Sequence, residues 1–172
     1  MNHDTYSDDY VRDILNHHKS FAVVGASANP TRPSYFVLKY LLDKGYRVHP
    51  VNPGMAGKEI LGQSVFVELA AIEERVDVVD VFRNSDAALE ITKDAIKIGA
   101  KVIWMQLGVR NDEAAAMAED AGLQVVMNRC PKIEYARLSG EIGWAGINSR
   151  TISSARPKLA PRGIQHRLLR ES

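Results

Sequence analysis

Five short apolar runs, each followed by a longer amphipathic stretch, constrain this chain more than any other feature. The runs read FAVVG, YRVHPV, VDVVDVF, KVIWMQ and LQVVM, and they predict strands over residues 21–25, 46–51, 76–82, 101–106 and 123–127. Near-continuous apolar runs suit strands covered on both faces, as in parallel sheets. The stretches between them carry a helical period. Residues 33–44 place Val37, Leu38, Leu41 and Leu42 on one face; residues 84–98 place Ala88, Ile91, Ala95 and Ile98; residues 111–121 place Ala114, Met117, Ala118 and Ala121. Gly45, Gly99 and Gly122 stop these helices, since a glycine just past a helix takes the left-handed cap. Asn84 and Asn111 stand where N-caps belong. A further helix over residues 8–18 is expected to pack outside the sheet. Alternating β and α elements imply a doubly wound α/β sheet of the Rossmann type with right-handed crossovers. The simplest strand order is 3-2-1-4-5, which puts the ligand beyond the carboxyl ends of the strands, between the first and the fourth.

The connection over residues 52–68 breaks the pattern. It holds Pro53, Gly54, Gly57 and Gly62 and reads as loop, with a short helix expected over residues 68–74 to complete the crossover. After Pro131 the alternation stops, and residues 133–138 are expected to make a helical turn or two. The organisation that follows is one Rossmann-type domain over residues 1–140 and a basic C-terminal extension over residues 141–172. The extension carries Arg150, Arg156, Lys158, Arg162, Arg167 and Arg170 and reads as a flexible tail rather than a binding segment.

Composition narrows the setting. At 172 residues and 45% hydrophobic content the chain supports one real core. A net charge of +1 gives no global pull toward nucleic acid or membrane. The polar start, Met1 to Ser7, carries no signal-peptide core, and no apolar run approaches the ~18–20 residues of a membrane span. The lone cysteine, Cys130, fits a reducing, cytoplasmic environment. His17 and His18 are adjacent on a presumed helix, point about 100° apart and cannot easily share a metal. His49 lies within a strand and reads as a satisfied histidine. Asp77 and Asp80 alternate with valines as strand residues, and Trp104 reads as core.

The first turn, VVGASANPTRPS, carries the strongest chemical signal. A glycine ends an apolar strand, a small-residue loop follows, and a helix opens near Pro33 and Ser34. Free amides and the dipole make helix N-termini phosphate sites; Ser27 and Ser34 add hydroxyls and Arg32 a cation. The loop is not G-x-G-x-x-G, because Ser27 and Pro30 stand where the later glycines belong. The second strand ends in Val51-Asn52-Pro53, where dinucleotide-binding folds place the Asp or Glu that takes the ribose hydroxyls. This argues against NAD. An aliphatic residue and a proline could form a ledge for adenine, while the plainer reading is a turn.

Several motifs in order, VVGAS, RPSYFVLKYLLDKGYRV, PVNP, EILG, WMQLGV and VMNRCP, resemble the CoA-binding domain family over residues 21–134. That family is similar to the N-terminal domain of the succinyl-CoA synthetase alpha subunit. The resemblance implies a Rossmann fold with coenzyme A laid across the strand ends. Gly25, Ala26 and Ser27 would lie against the pyrophosphate, Asn52 and Pro53 near the adenine, and Gln106 and Leu107 near the pantetheine arm. The relatives commonly carry a lysine after the VNP turn, where this chain has Gly54-Met55 and only later Lys58. Arg32, Lys58 and Arg83 are therefore the candidate phosphate cations. Cys130, at the ligand end of the fifth strand, reads as a small buried residue, with a thiol facing the CoA thiol as the sharper alternative.

Binding is better supported than catalysis by these residues. Succinyl-CoA synthetase uses a further domain with a phosphorylated histidine and a partner subunit, and the remainder of this chain is too short for a domain of usual size. The expectation is a stand-alone cytoplasmic protein that binds CoA or an acyl-CoA and works with a partner enzyme. It would use no metal, contact neither nucleic acid nor membrane, and be an enzyme less readily than a binder. The alternatives are an NAD(P)-binding oxidoreductase or redox sensor, and an interaction module with a vestigial nucleotide pocket.

Overall fold

The computed structural model describes residues 1–140; the basic extension lies outside the described residues. The chain runs α1 (Asp8–His17), β1 (Ser20–Val24), α2 (Pro33–Asp43), β2 (Arg47–Val51), a hairpin of β3 (Glu59–Ile60) and β4 (Gln63–Ser64), β5 (Val78–Val81), α3 (Ala88–Lys97), β6 (Val102–Met105), α4 (Asp112–Asp120), β7 (Gln124–Val126) and α5 (Pro131–Leu138). The five strands expected from the apolar runs form one sheet, parallel throughout.

Their order corrects the sequence expectation. It is β2-β1-β5-β6-β7, or 2-1-3-4-5 in chain order of the sheet strands, rather than 3-2-1-4-5. The third sheet strand therefore lies beside the first, and the order reverses between β1 and β5 instead of between the first and fourth strands. The connection that achieves this is the glycine-rich segment after β2. It folds as the antiparallel hairpin and a three-residue 3-10 turn, Leu69–Ala71, instead of a short helix over residues 68–74. Its Phe66 bridges back to Val51, donating to Pro50 O and accepting from Asn52 N, both at 2.9 Å.

Period-2 alternation divides the strand side chains between two cores. One face carries Val79, Val81, Ile103 and Met105 against the alanine-rich α3 and α4. The other carries Phe21, Val23, Val78 and Trp104 against α1, α2 and α5. Small residues at Ala88, Ala95, Ala114 and Ala118 let α3 and α4 approach closely. On the opposite side Val37, Leu38 and Leu41 are buried, each contributing about 1.5–3 kcal/mol by leaving water.

Helix starts follow two patterns. Ser7 caps α1 through Tyr10 N, Asn84 caps the 3-10 turn ahead of α3 through Ala87 N, and Asn111 caps α4 through Ala114 N. By contrast α2 and α5 each begin at a proline with no side-chain cap. The glycine stops at 45, 99 and 122 all sit at positive φ. Helix α5 begins directly at Pro131, earlier than the period alone suggests, because proline's fixed φ suits the first helical position. The N-terminal segment reaches the outer strand β7. There Tyr10 Oη donates to Val125 O and accepts from Val125 N, and Tyr6 Oη accepts from Met127 N.

Candidate functional site

A cleft of about 480 Å³ opens at the carboxyl ends of the strands. Its walls come from α2 (Pro33, Phe36, Val37), from the segments after β5 (Phe82, Arg83) and β6 (Gln106, Leu107, Val109), and from the start of α5 (Cys130, Lys132, Ile133). This is where open α/β sheets bind ligands. The N-termini of α2 and α5 both meet here, so two positive dipole ends face one cavity. Lys132 Nζ lies 5.8 Å from the centre of the exposed Phe36 ring. Arg83, also on the wall, makes no ion pair or hydrogen bond among the described residues.

Gly25 joins the first turn to this cleft. It sits at φ +94°, in left-handed backbone that glycine adopts without strain. A Cβ there would lie 2.9 Å from Phe82 O and 3.2 Å from Arg83 Cδ. The turn thus packs backbone against backbone across the β1–β5 reversal. Val51 O accepts from Gly25 N at 2.9 Å and from Ala26 N at 3.3 Å.

The structure brings some of the expected site residues together and separates others. Arg83, Gln106 and Leu107 line the cleft. Arg32 is exposed just ahead of Pro33, at the mouth of α2. Ser34 is buried at 4% exposure, so its hydroxyl is not displayed on the surface. Ser27 Oγ accepts from Asn29 N, and Asn29 Oδ1 accepts from Thr31, which folds the loop on itself. Ala26 is fully buried. Asn52 holds the backbone together, since its Nδ2 donates to Ala26 O at 2.8 Å and its Oδ1 accepts from Gly54 N at 2.9 Å. It ties the end of β2 to the first turn. Pro53 and Lys58 are exposed on the segment leading into the hairpin and do not line the cleft.

Two residues that sequence reasoning passed over belong to the site, Asp80 behind Gln106 and Lys132 on the wall. Asp80, read simply as a strand residue, is fully buried. Gln106 Nε2 donates to both its oxygens, at 2.9 and 3.0 Å. Burial pushes the Asp80 carboxyl up to about 8, although the Gln106 hydrogen bond works the other way. A charged residue set among valines in a strand with helices on both sides was the available signal. Lys132 was the other omission; it follows a Cys-Pro pair whose proline could have been read as a helix start.

Cys130 lines the cleft but is 7% exposed. Burial pushes its thiol up to about 11, and the nearby Asp80 charge adds to this. The alternative that required an exposed, partly ionised thiol is therefore corrected, because the thiolate is the reactive form. Incubation with CoA disulfide is expected to leave the intact mass unchanged. An adduct on wild type that Cys130→Ser abolishes would show the thiol to be reachable.

His17 and His18 go to separate partners, Asp13 O and Gln124 Oε1. His49 is buried as a strand histidine, and its Nε2 makes no hydrogen bond but faces Glu74 Oε2 at 3.8 Å. Trp104 is fully buried, as expected of core. Among the described residues no helix is long and apolar enough to cross a membrane.

Known proteins match this architecture over most of its length. The uncharacterized protein YneT of Bacillus subtilis is 36% identical over 126 residues, 73% of this chain and 92% of that protein. A hypothetical protein of Pyrococcus horikoshii OT3 has a similar structure, with a TM-score of 0.76 at 42% identity, covering 80% of this chain and 95% of that one. The alpha subunit of ADP-forming acetate–CoA ligase I from Pyrococcus furiosus is 30% identical over 95 residues, which span 53% of this chain and only 21% of the ligase subunit. The family model described as a CoA binding domain matches residues 19–136, from the start of β1 into α5. The chain belongs to the CoA-binding domain family.

Proposed function

We propose that the chain binds coenzyme A, or an acyl-CoA, across the carboxyl ends of β1, β5 and β6. The observation that carries this reading is the convergence of α2 and α5, both uncapped, on an apolar cleft with Arg83 unpaired on its wall. Helix N-termini and cations suit phosphates; Phe36, Leu107, Val109 and Ile133 suit a long, largely apolar arm. The pyrophosphate would lie against Gly25, Ala26 and Ser27, the adenine near the Asn52-Pro53 turn, and the arm beside Gln106 and Leu107. Arg32, Lys58 and Arg83 are the proposed phosphate partners.

The protein would act as a stand-alone cytoplasmic CoA binder, its binding unit within residues 1–140, that holds or delivers its ligand to a partner enzyme. Relatives nearly all of whose length is matched support the stand-alone part. The ligase subunit supports the link to acyl-CoA chemistry, because there a similar unit forms part of a longer chain. The end of β2 offers no carboxylate for ribose hydroxyls, and Asn52 is already engaged by Ala26 and Gly54.

Calorimetry with CoA, NAD and NADP tests the assignment. CoA is expected to bind most tightly, and tighter binding of NAD would overturn it. Arg32→Gln, Lys58→Gln and Arg83→Gln are then compared on CoA and dephospho-CoA. Losing a hydrogen bond to a charged group costs about 1.5–3 kcal/mol, or roughly 10- to 100-fold in affinity. The residue that holds the 3′-phosphate should show this loss with CoA alone. If all three variants bind both ligands like wild type, the assigned cations are wrong.

A further inference from the structure

Asp80 is an unusual residue for its place. It sits in a central strand, its backbone in register with Val23 of β1 and Trp104 of β6, and is fully buried. Its only hydrogen-bond donor among the described residues is the Gln106 amide. A packed apolar side chain would serve a core at least as well, since an isolated buried carboxylate is costly.

What the pair supplies is orientation. An ionised carboxylate can only accept, so it draws the amide NH2 of Gln106 toward itself. The other end of that amide, Oε1, is then turned away. Gln106 is 5% exposed and lines the cleft. Its Oε1 accepts no hydrogen bond among the described residues, yet it is not one of the atoms sealed from solvent. The site therefore holds an unpaired acceptor, on a nine-tenths buried side chain, fixed from behind by the Asp80 carboxylate when that group is ionised.

We propose that Gln106 Oε1 accepts an amide N–H from the arm of the bound ligand, and that Asp80 is the positioning residue that keeps this acceptor facing the cleft. The proposal rests on the CoA reading above, because the pantetheine arm carries secondary amide N–H groups. It makes the site selective for a ligand with a donor at that point, beyond any phosphate contact.

Protonation gives the pair a signature. A protonated Asp80 carries an O–H whose available acceptor is Gln106 Oε1, and the amide turns to meet it. The acceptor is then withdrawn from the cleft. Arm binding should therefore strengthen as pH rises through the Asp80 titration and weaken as it falls. The titratable or charged groups around Asp80 are few. Its strand neighbours Val23 and Trp104 do not titrate, and α2 presents Pro33, Phe36 and Val37 to the cleft. Helix α5 contributes Cys130, held neutral by its raised pKa, and the cation Lys132; the segment after β5 contributes Arg83.

The test is calorimetry on the full chain between about pH 6 and 9, with CoA and with 3′-phosphoadenosine 5′-diphosphate, which lacks the arm. Wild type, Asp80→Asn and Gln106→Met are compared. CoA affinity of wild type is expected to rise about tenfold across this range relative to the arm-less nucleotide, the worth of one hydrogen bond. Both variants should bind CoA about tenfold more weakly at the upper pH, lose the pH dependence, and bind the nucleotide as wild type does. Equal losses for both ligands would mean that the pair is only structural and would overturn the proposal. So would variants that keep the wild-type CoA profile. Wild type that binds CoA no better than the nucleotide would overturn the arm contact and leave the nucleotide site standing. Wild type that binds neither would overturn the CoA reading and this proposal together.

Discussion

Replacing Gly25 by valine is expected to abolish CoA binding and to weaken the fold. Left-handed backbone costs a residue other than glycine about 1–3 kcal/mol, and Gly25 sits at φ +94°. The steric problem compounds this. The new Cβ would press on Phe82 O at 2.9 Å and Phe82 C at 3.1 Å, which are backbone atoms of the neighbouring strand's end and cannot swing aside. The first turn must therefore retreat from residues 82–83, which separates the proposed pyrophosphate loop from Arg83. Circular dichroism should still show a folded protein, because a domain of this kind has ~5–15 kcal/mol of stability in hand. Denaturant titration should show a lowered midpoint, and calorimetry no heat of CoA binding. Wild-type affinity in a folded Gly25→Val protein would place the phosphates elsewhere.

Trp104→Ala is expected to cost about 3–5 kcal/mol of stability, the range for removing a large aromatic from a core. Among the described residues Trp104 is the largest fully buried side chain, and its ring fills the face shared with α1, α2 and α5. It also anchors the far wall of the cleft. Its Nε1 donates to Arg129 O at 2.9 Å, just before Cys130 and the start of α5. Losing that bond should free the segment that carries Lys132 and Ile133. Chemical denaturation measures the first effect and CoA affinity, under conditions where the variant is folded, the second. A loss below about 1 kcal/mol would contradict this view of the core.

Element positions were legible because each carries its own period or punctuation. The five apolar runs, the proline at the start of α2 and the glycines at 45, 99 and 122 all mark local structure. Strand order was not legible, because an apolar run records that a strand is buried and not which strand lies beside it. Whether the segment after β2 turns back or passes β1 depends on how residues 52–68 fold. Their hairpin is too short to leave a period-2 pattern. The same limit applies to the site. Gly25, Arg83, Gln106 and Leu107 could be read from their places at strand ends, and all four meet at or beside the cleft. Asn52 stood open between two readings. Its residue type suits a ligand contact or a turn equally, and only the geometry shows both ends of its amide occupied. Asp80 was hidden for a related reason: the charge was visible, but its enclosure depends on Trp104 and Gln106 arriving from another strand.

The tyrosines that reach β7 and the Phe66 bridge on β2 bear on how this protein behaves in a crowded solution. An open sheet ends in two strands with unmatched N–H and C=O groups, and these invite a foreign strand to add on and start aggregation. Here both flanks are blunted. On β7, the hydroxyls of Tyr6 and Tyr10 occupy Met127 N and both polar groups of Val125. On β2, Phe66 takes Pro50 O and Asn52 N, and Pro50 has no N–H to offer. A strand that sought to extend the sheet would first have to displace the N-terminal segment or the hairpin connection. The N-terminal segment and the hairpin connection thus cover the two sheet edges while the carboxyl ends of the central strands stay open to the cleft.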